Sequence, residues 1–126
     1  MILVDTSIWI ELLNGRMPPV DPLEFVTCGP VTQEVLQGLR ENADARRFGE
    51  AFEAMECLGD PLPRRIFSAA AEIYRSGRRR GITIRSSVDC LIAAIAIEYE
   101  IPVWHRDRDF DAIAGYTELR ISSGPV

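Results

Sequence analysis

The chain has 126 residues, with 14 basic and 19 acidic side chains and a net charge of -5 at pH 7. This length fits one domain, residues 1–126, and the charge disfavours a protein that binds nucleic acid over its whole surface. Three widely spaced cysteines match neither a disulfide framework nor a zinc site, and no apolar run is long enough to span a membrane, so we expect a cytoplasmic protein without membrane association.

The first predicted element is a buried strand that leads directly into a helix. Residues 2–4 are apolar, Asp5 follows them, and a helical apolar pattern occupies residues 7–13. Asp5 is therefore expected at the carboxyl end of a strand, where open α/β sheets bind ligands. A helix cap is an alternative interpretation, because aspartate is also favoured there.

The second predicted strand covers residues 25–28. Thr32 is well placed to cap the next helix, which would put Glu34 in its first turn. An acid is favoured there by the helix dipole alone, so Glu34 has a purely structural interpretation as well. Further along, Phe48, Phe52 and Ile73 belong to two helical apolar patterns separated by residues 59–63, which predict a helical hairpin.

Residues 82–84 form a short β-like run before the most apolar helix of the chain. Ser86 and Asp89 have the spacing of a capping box, so Asp89 is expected to be exposed at the amino end of that helix. The next strand is predicted at residues 101–104, with Asp107 directly after it, followed by a helical turn at 112–116 and a last strand at 118–121. Strands alternating with helices predict an α/β fold with a mainly parallel sheet.

Four acids are expected to converge at one edge of this sheet: Asp5, Glu34, Asp89 and Asp107. Each of them follows a strand or lies in the first turn of the helix after one, and these positions share an edge in a parallel sheet. Clustered carboxylates need a cation among them or raised pKa values, and hard oxygen donors suit Mg²⁺ or Mn²⁺. Such an ion serves phosphodiester hydrolysis, so the pattern indicates a nuclease or a phosphohydrolase.

Four segments resemble the signature blocks of PIN-domain ribonucleases, and among these the single-domain VapC-type toxins are the most similar. The segments are ILVDTSIWI at 2–10, VTQEVLQG at 31–38, SVDCLIAAIA at 87–96 and RDRDF at 106–110. The resemblance implies a three-layer α/β/α sandwich and an endoribonuclease that depends on Mg²⁺ or Mn²⁺. It further implies a cognate antitoxin, usually of the VapB type, that blocks the site, and a homodimer.

The resemblance also implies roles for the acids. Asp5 and Asp89 would be the principal ion ligands, Asp107 a direct or water-mediated ligand, and Glu34 the residue that holds or activates the attacking water. Asp109 would be an auxiliary or alternate fourth acid, although Asp107 lies nearer the strand end.

Other polar residues flank these positions. Ser7 is expected to orient Asp5, and Arg85, Arg106 and Arg108 are candidates for contacts with RNA phosphates or with carboxylates of the antitoxin. His105 stands where the family more often has a small hydroxyl or amide residue, and we interpret it as a local structural substitution.

Two other interpretations share part of this pattern. Phosphatases of the haloacid dehalogenase type and response-regulator receivers also place an aspartate after the first strand, but both rely on a lysine and this chain has none. The remaining alternative is a catalytically degenerate PIN fold that acts by binding a protein partner. The presence of all four acids favours the enzyme.

Overall fold

The computed structural model describes residues 1–125, so Val126, the last residue of the predicted domain, lies outside the described part. A short 3-10 turn (Pro22–Glu24) precedes the second strand. The other elements in chain order are β1 (Ile2–Val4), α1 (Thr6–Leu13), β2 (Phe25–Cys28), α2 (Gly29–Gln37), α3 (Ala43–Glu53), β3 (Cys57–Leu58), α4 (Arg64–Arg79), α5 (Ser87–Glu98), β4 (Val103–Trp104), α6 (Arg108–Ala114) and β5 (Ile121–Ser122).

Within residues 1–125, five strands form one sheet in the order β3-β2-β1-β4-β5, and every pairing is parallel. β1 lies in the centre, with Leu3 paired to Val26 on one side and to Val103 on the other. All three residues of β1 are buried, as expected for a strand whose two faces are both covered by helices. The predicted parallel α/β sandwich is confirmed.

The start of α2 differs from the prediction. The helix begins at Gly29, with Pro30 in its first turn, rather than at Thr32. Proline is favoured at this position because its missing N–H has no partner in the first turn of a helix. Glu34 consequently lies one turn further along α2 than predicted, and Thr32 is an interior residue rather than a cap.

The predicted helical hairpin is wrong. A third strand, β3, separates α3 from α4 and pairs with β2, so the β2–α2–α3–β3 segment is a crossover between parallel strands. α4 instead packs along α5. With two residues, β3 is too short to give an apolar pattern that could be recognised in the sequence.

The approach to α5 also differs from the prediction. Residues 82–84 are not a strand, although Ile84 is buried. Ser86 is the N-cap residue, but its side chain makes no capping hydrogen bond, so the capping box is absent. Asp89 is 8% exposed rather than open to solvent, because residues from almost all faces of α5 are buried.

The C-terminal part follows the prediction with shifted boundaries. β4 and β5 cover only the ends of the predicted strands, and α6 begins at Arg108, earlier than expected, with Asp107 as its cap. Among the helices of residues 1–125, none is both long and apolar enough to cross a membrane. The carboxyl ends of β1, β2 and β4 thus lie side by side, each followed by a helix or a turn that carries acids.

Candidate active site

Asp5 joins the central strand to the first helix. It is 5% exposed, and its Oδ2 accepts hydrogen bonds from the backbone N–H of Ser7 (3.1 Å) and from the Ser7 hydroxyl (2.6 Å). The first of these bonds caps α1, so the capping interpretation of Asp5 is correct. Because only Oδ2 is used, capping leaves the other carboxylate oxygen available to a ligand.

Ser7 links two strand ends. Its Oγ donates to Asp5 and accepts a hydrogen bond of 2.9 Å from the backbone N–H of Arg106, which lies just beyond β4. The carboxylate at the end of β1 is therefore held in position relative to the loop that carries Asp107. This is the orienting contact predicted for Ser7 from the sequence.

Glu34 is brought to the same edge by a threonine. The Thr6 hydroxyl donates a 2.9 Å hydrogen bond to Glu34 Oε1, which connects α2 to the first residue of α1. Both carboxylates lie close enough to the end of β2 to act on Cys28. Burial raises the pKa of the Cys28 thiol to about 12, and the charges of Asp5 and Glu34 add to this rise. The sequence analysis missed Thr6, although a hydroxyl directly after Asp5 was a visible signal.

Asp89 is the most perturbed acid of the group. Its pKa is raised from an ordinary value of 3.8 to about 7, chiefly by burial and then by the charges of Asp107 and Asp5. Its Oδ2 is buried and has no hydrogen-bond partner. A buried carboxylate oxygen without a donor is costly unless a proton or a cation neutralises it.

Asp107 and Asp109 come from the turn after β4 and the first turn of α6. Asp107 Oδ1 accepts from the backbone N–H of Asp109 (2.9 Å), which caps α6. Oxygen atoms of Asp89, Asp107 and Asp109 all lie within 4.8 Å of one another. Asp109 is 6% exposed and Asp107 is half-buried, and each contributes an oxygen to this group.

Arg85 faces two of these acids. Its Nη2 lies 3.3 Å from Asp107 Oδ1 and its Nε 3.4 Å from Asp109 Oδ2, while its backbone N–H donates to the same Asp109 oxygen at 3.1 Å. Arg106 and Arg108 are exposed on either side of Asp107. In residues 1–125 neither of them forms an ion pair.

His105 contacts the loop after β4 that carries Asp107. Its side chain is 5% exposed, its Nδ1 accepts a 2.9 Å hydrogen bond from the backbone N–H of Asp107, and its Nε2 lies 3.2 Å from Asp111 Oδ1. The ring also packs against Phe110. These contacts agree with the structural interpretation of His105, and they place the residue under the Asp107 backbone.

The assembled site is a cluster of carboxylates able to hold a metal ion. The donors are hard oxygens, the unpaired Asp89 Oδ2 is available for a cation, and Asp5 and Glu34 approach from β1 and α2. All four predicted acids are thus brought to the same edge of the sheet. The tightest group found is Asp89, Asp107 and Asp109, with Asp5 adjacent to it.

Comparison with known proteins agrees with this arrangement. Residues 2–116 match the PIN domain family. Ribonuclease VapC11 of Mycobacterium tuberculosis is 36% identical to the chain, and the match covers 98% of each sequence. The chain belongs to the PIN-domain VapC ribonucleases. The family resemblance predicted from the four sequence blocks is confirmed, and the chain is an enzyme of the ribonuclease class.

Solved structures of this family share the fold. VapBC-1 of nontypeable Haemophilus influenzae matches with a TM-score of 0.72 at 18% identity, covering 97% of this chain and 97% of that one. VapBC-5 of Mycobacterium tuberculosis, described as a member of the VapBC family of toxin-antitoxin systems, matches with a TM-score of 0.64 at 23% identity over 94% of each chain. At these identities the similarity establishes the PIN fold.

Proposed function

We propose that this VapC-family protein is a metal-dependent endoribonuclease, the toxin of a type II toxin-antitoxin pair, and that it hydrolyses RNA phosphodiester bonds at the acid cluster. The observation that carries the proposal is the buried Asp89 oxygen without a hydrogen-bond partner, beside carboxylates from two other segments of the chain, Asp5 and the Asp107–Asp109 pair. Helix caps account for Asp5 and Asp107, and the Arg85 ion pairs account for Asp107 and Asp109, but neither accounts for the unpaired Asp89 oxygen.

Asp5, Asp89 and Asp107 are the residues that would hold a Mg²⁺ or Mn²⁺ ion. Asp89 offers its unpaired Oδ2, and Asp5 keeps one oxygen free of the contacts with Ser7. Both ions favour carboxylate oxygens over sulfur or nitrogen ligands. When bound, such an ion neutralises charge on a phosphate oxygen and makes water a better nucleophile at neutral pH.

The other groups act around these ligands. Glu34, held by Thr6 next to Asp5 in the chain, is assigned the attacking water, which it holds or deprotonates. Ser7 keeps Asp5 in the orientation that an ion requires. Asp109, whose Oδ2 accepts two hydrogen bonds from Arg85, is assigned the role of an auxiliary acid.

The RNA contacts are assigned to arginines at the rim of the cluster. Arg106 and Arg108 are exposed and flank Asp107, where their guanidinium groups can pair with phosphates on either side of the scissile bond. Arg85 contacts Asp107 and its side chain is 59% exposed, so we assign it to the same set of RNA contacts.

The partner is proposed from the same family. VapBC-5 is described as belonging to a toxin-antitoxin family, and we propose that a VapB-type antitoxin blocks the acid cluster of this chain. A homodimer and a cytoplasmic location complete the proposal. Light scattering of the purified chain, alone and with an antitoxin encoded next to it, tests both assemblies.

The proposed activity is tested by incubating the purified chain with bulk bacterial RNA in Mg²⁺, Mn²⁺ or chelator, and sequencing the new RNA ends. We expect cleavage with either ion, none in chelator, and none by Asp5→Asn or Asp89→Asn variants that keep a wild-type circular dichroism spectrum. Asp44→Asn, which changes an exposed acid of α3, is the matched control and should cleave normally.

A second result would favour the alternative function. If wild type and Asp44→Asn leave all RNA intact under every condition, while the chain still binds its antitoxin, the acids are not catalytic. The chain would then be the binding module considered in the sequence analysis.

A further inference from the structure

We propose that the Arg85 guanidinium is a built-in counter-cation, which competes with a divalent ion for Asp107 and Asp109 and thereby sets the affinity of the acid cluster for that ion. The inference rests on the proposed function, which supplies the ion. It concerns one side chain of this protein and a property measurable without RNA.

The first argument is the position of the charge. Arg85 contacts Asp107 at 3.3 Å and Asp109 at 3.4 Å, and these acids lie within 4.8 Å of an Asp89 oxygen. Within residues 1–125, no other arginine forms an ion pair with Asp107 or Asp109. One positive charge therefore faces two of the three clustered acids before any ion binds.

The second argument is that the guanidinium is not what holds these carboxylates in place. Asp109 Oδ2 accepts a 3.1 Å hydrogen bond from the Arg85 backbone N–H, and Asp107 Oδ1 accepts one of 2.9 Å from the Asp109 backbone N–H. Both bonds are shorter than the guanidinium contacts, and both survive a substitution at position 85. The Arg85 side chain thus contributes mainly charge to the site.

The third argument is exposure. The Arg85 side chain is 59% exposed, whereas that of Asp109 is 8% exposed. An ion pair with one solvated partner is weak, and the long arginine side chain can rotate into water at little cost. A divalent ion then displaces the guanidinium from the carboxylates. Its affinity is lowered because the guanidinium competes for the same oxygens and because the arginine charge, which stays close, repels the ion.

The experiment measures Mn²⁺ affinity of the full chain after chelator treatment, by the electron paramagnetic resonance signal of free Mn²⁺ and without RNA. Arg85→Gln removes the charge, and Arg85→Lys keeps it without the planar fork. Arg65→Gln is the matched control, because Arg65 forms a similar exposed ion pair with Glu98 away from the acids.

We expect Arg85→Gln to bind Mn²⁺ about three- to tenfold more tightly than wild type. Arg85→Lys should stay within about twofold of wild type, and Arg65→Gln should match it. The difference between wild type and Arg85→Gln should shrink as salt rises, since screening weakens the repulsion from an exposed charge.

Two results would overturn the inference. An unchanged or weaker Mn²⁺ affinity in Arg85→Gln means that the guanidinium is either irrelevant or needed for placement. An Arg85→Lys variant as tight as Arg85→Gln means that charge is not the cause. If wild type itself binds no Mn²⁺ and cleaves no RNA, the proposed function fails, and with it this inference. A wild type that does both, with Arg85→Gln unchanged, contradicts the inference alone.

Discussion

The hydroxyl of Ser7 donates a 2.6 Å hydrogen bond to Asp5, the shortest contact made by any acid of the cluster. Because this hydroxyl also accepts from the Arg106 backbone, removing it frees the Asp5 carboxylate to rotate and loosens the loop after β4. We predict that Ser7→Ala lowers RNA cleavage about 10- to 100-fold, the usual cost of losing an orienting contact to a metal ligand.

The measurement for Ser7→Ala is kcat and KM for RNA cleavage, together with Mn²⁺ affinity. Ser68→Ala, at an exposed serine of α4, is the control. We expect the Mn²⁺ affinity of Ser7→Ala to fall with kcat, since both depend on the orientation of Asp5. A variant with wild-type ion affinity and activity would show that Asp5 needs no such support.

Much of this site follows from the sequence because it depends on strand ends. The apolar run 2–4 predicts a central strand, and the connection rules for parallel sheets then bring acids from distant blocks to one edge. Convergence of Asp5, Glu34 and Asp107 required only the correct order of strands and helices. The misplaced start of α2 did not alter it, because the Thr6 hydroxyl at the start of α1 bonds the Glu34 carboxylate even though Glu34 lies further along α2.

What the sequence could not give depends on packing between distant segments. The first-turn position of Asp89 predicted exposure, but α4, α6 and α2 pack against α5, and burial raises the pKa of Asp89. The pairing of Arg85 with Asp107 and Asp109 spans more than 20 residues and leaves no local pattern. Because Arg85 lies near Asp89 in the sequence, it was a candidate for contact with an RNA phosphate or an antitoxin carboxylate, and only the structure shows that it pairs with Asp107 and Asp109.

The raised pKa of Asp89 predicts how stability depends on pH in the absence of metal. Below about pH 4 the carboxyl is protonated in both folded and unfolded chains and imposes no cost. As pH rises towards about 7, the Asp89 carboxyl loses its proton in the unfolded chain but keeps it in the folded chain. The free energy of unfolding therefore falls over this range. The loss is roughly 3 kcal/mol at most between about pH 5 and about pH 8.

The test for Asp89 is urea unfolding in chelator at these two pH values. Asp89→Asn has no titrating group at this position and should lose less stability than wild type as pH rises. Mn²⁺ should stabilise wild type more at the higher pH, because protons compete with the ion for the same oxygens. An equal pH dependence in both proteins would mean that Asp89 ionises normally in the folded state.

His105 predicts a second, purely structural effect on Asp107. Its Nδ1 accepts from the Asp107 backbone N–H, so a residue with an acceptor at this position should preserve the loop. We predict that His105→Asn keeps RNA cleavage within about threefold of wild type, whereas His105→Leu, which fills the space without an acceptor, loses about tenfold or more, because a buried donor is then unsatisfied.

Thermal unfolding separates the two roles of His105. Both variants should be less stable than wild type, since both lose the packing of the imidazole against Phe110. Only His105→Leu should also lose Mn²⁺ affinity. Equal activity of the two variants would indicate that the hydrogen bond to Asp107 does not position this acid.

Arg106 and Arg108 are predicted to contact RNA phosphates, and the salt dependence of cleavage is the property that reports such contacts. Each phosphate contact to a single strand contributes a slope of roughly -0.7 in the logarithmic plot of affinity against salt. The Arg106→Gln, Arg108→Gln double variant should therefore raise KM and reduce the slope by about one to two, with a smaller change in kcat.

The control is Arg47→Gln with Arg79→Gln, which removes two exposed arginines of α3 and α4 and the same total charge. If the two double variants give the same slope, the effect comes from net charge, and the proposed phosphate contacts do not exist.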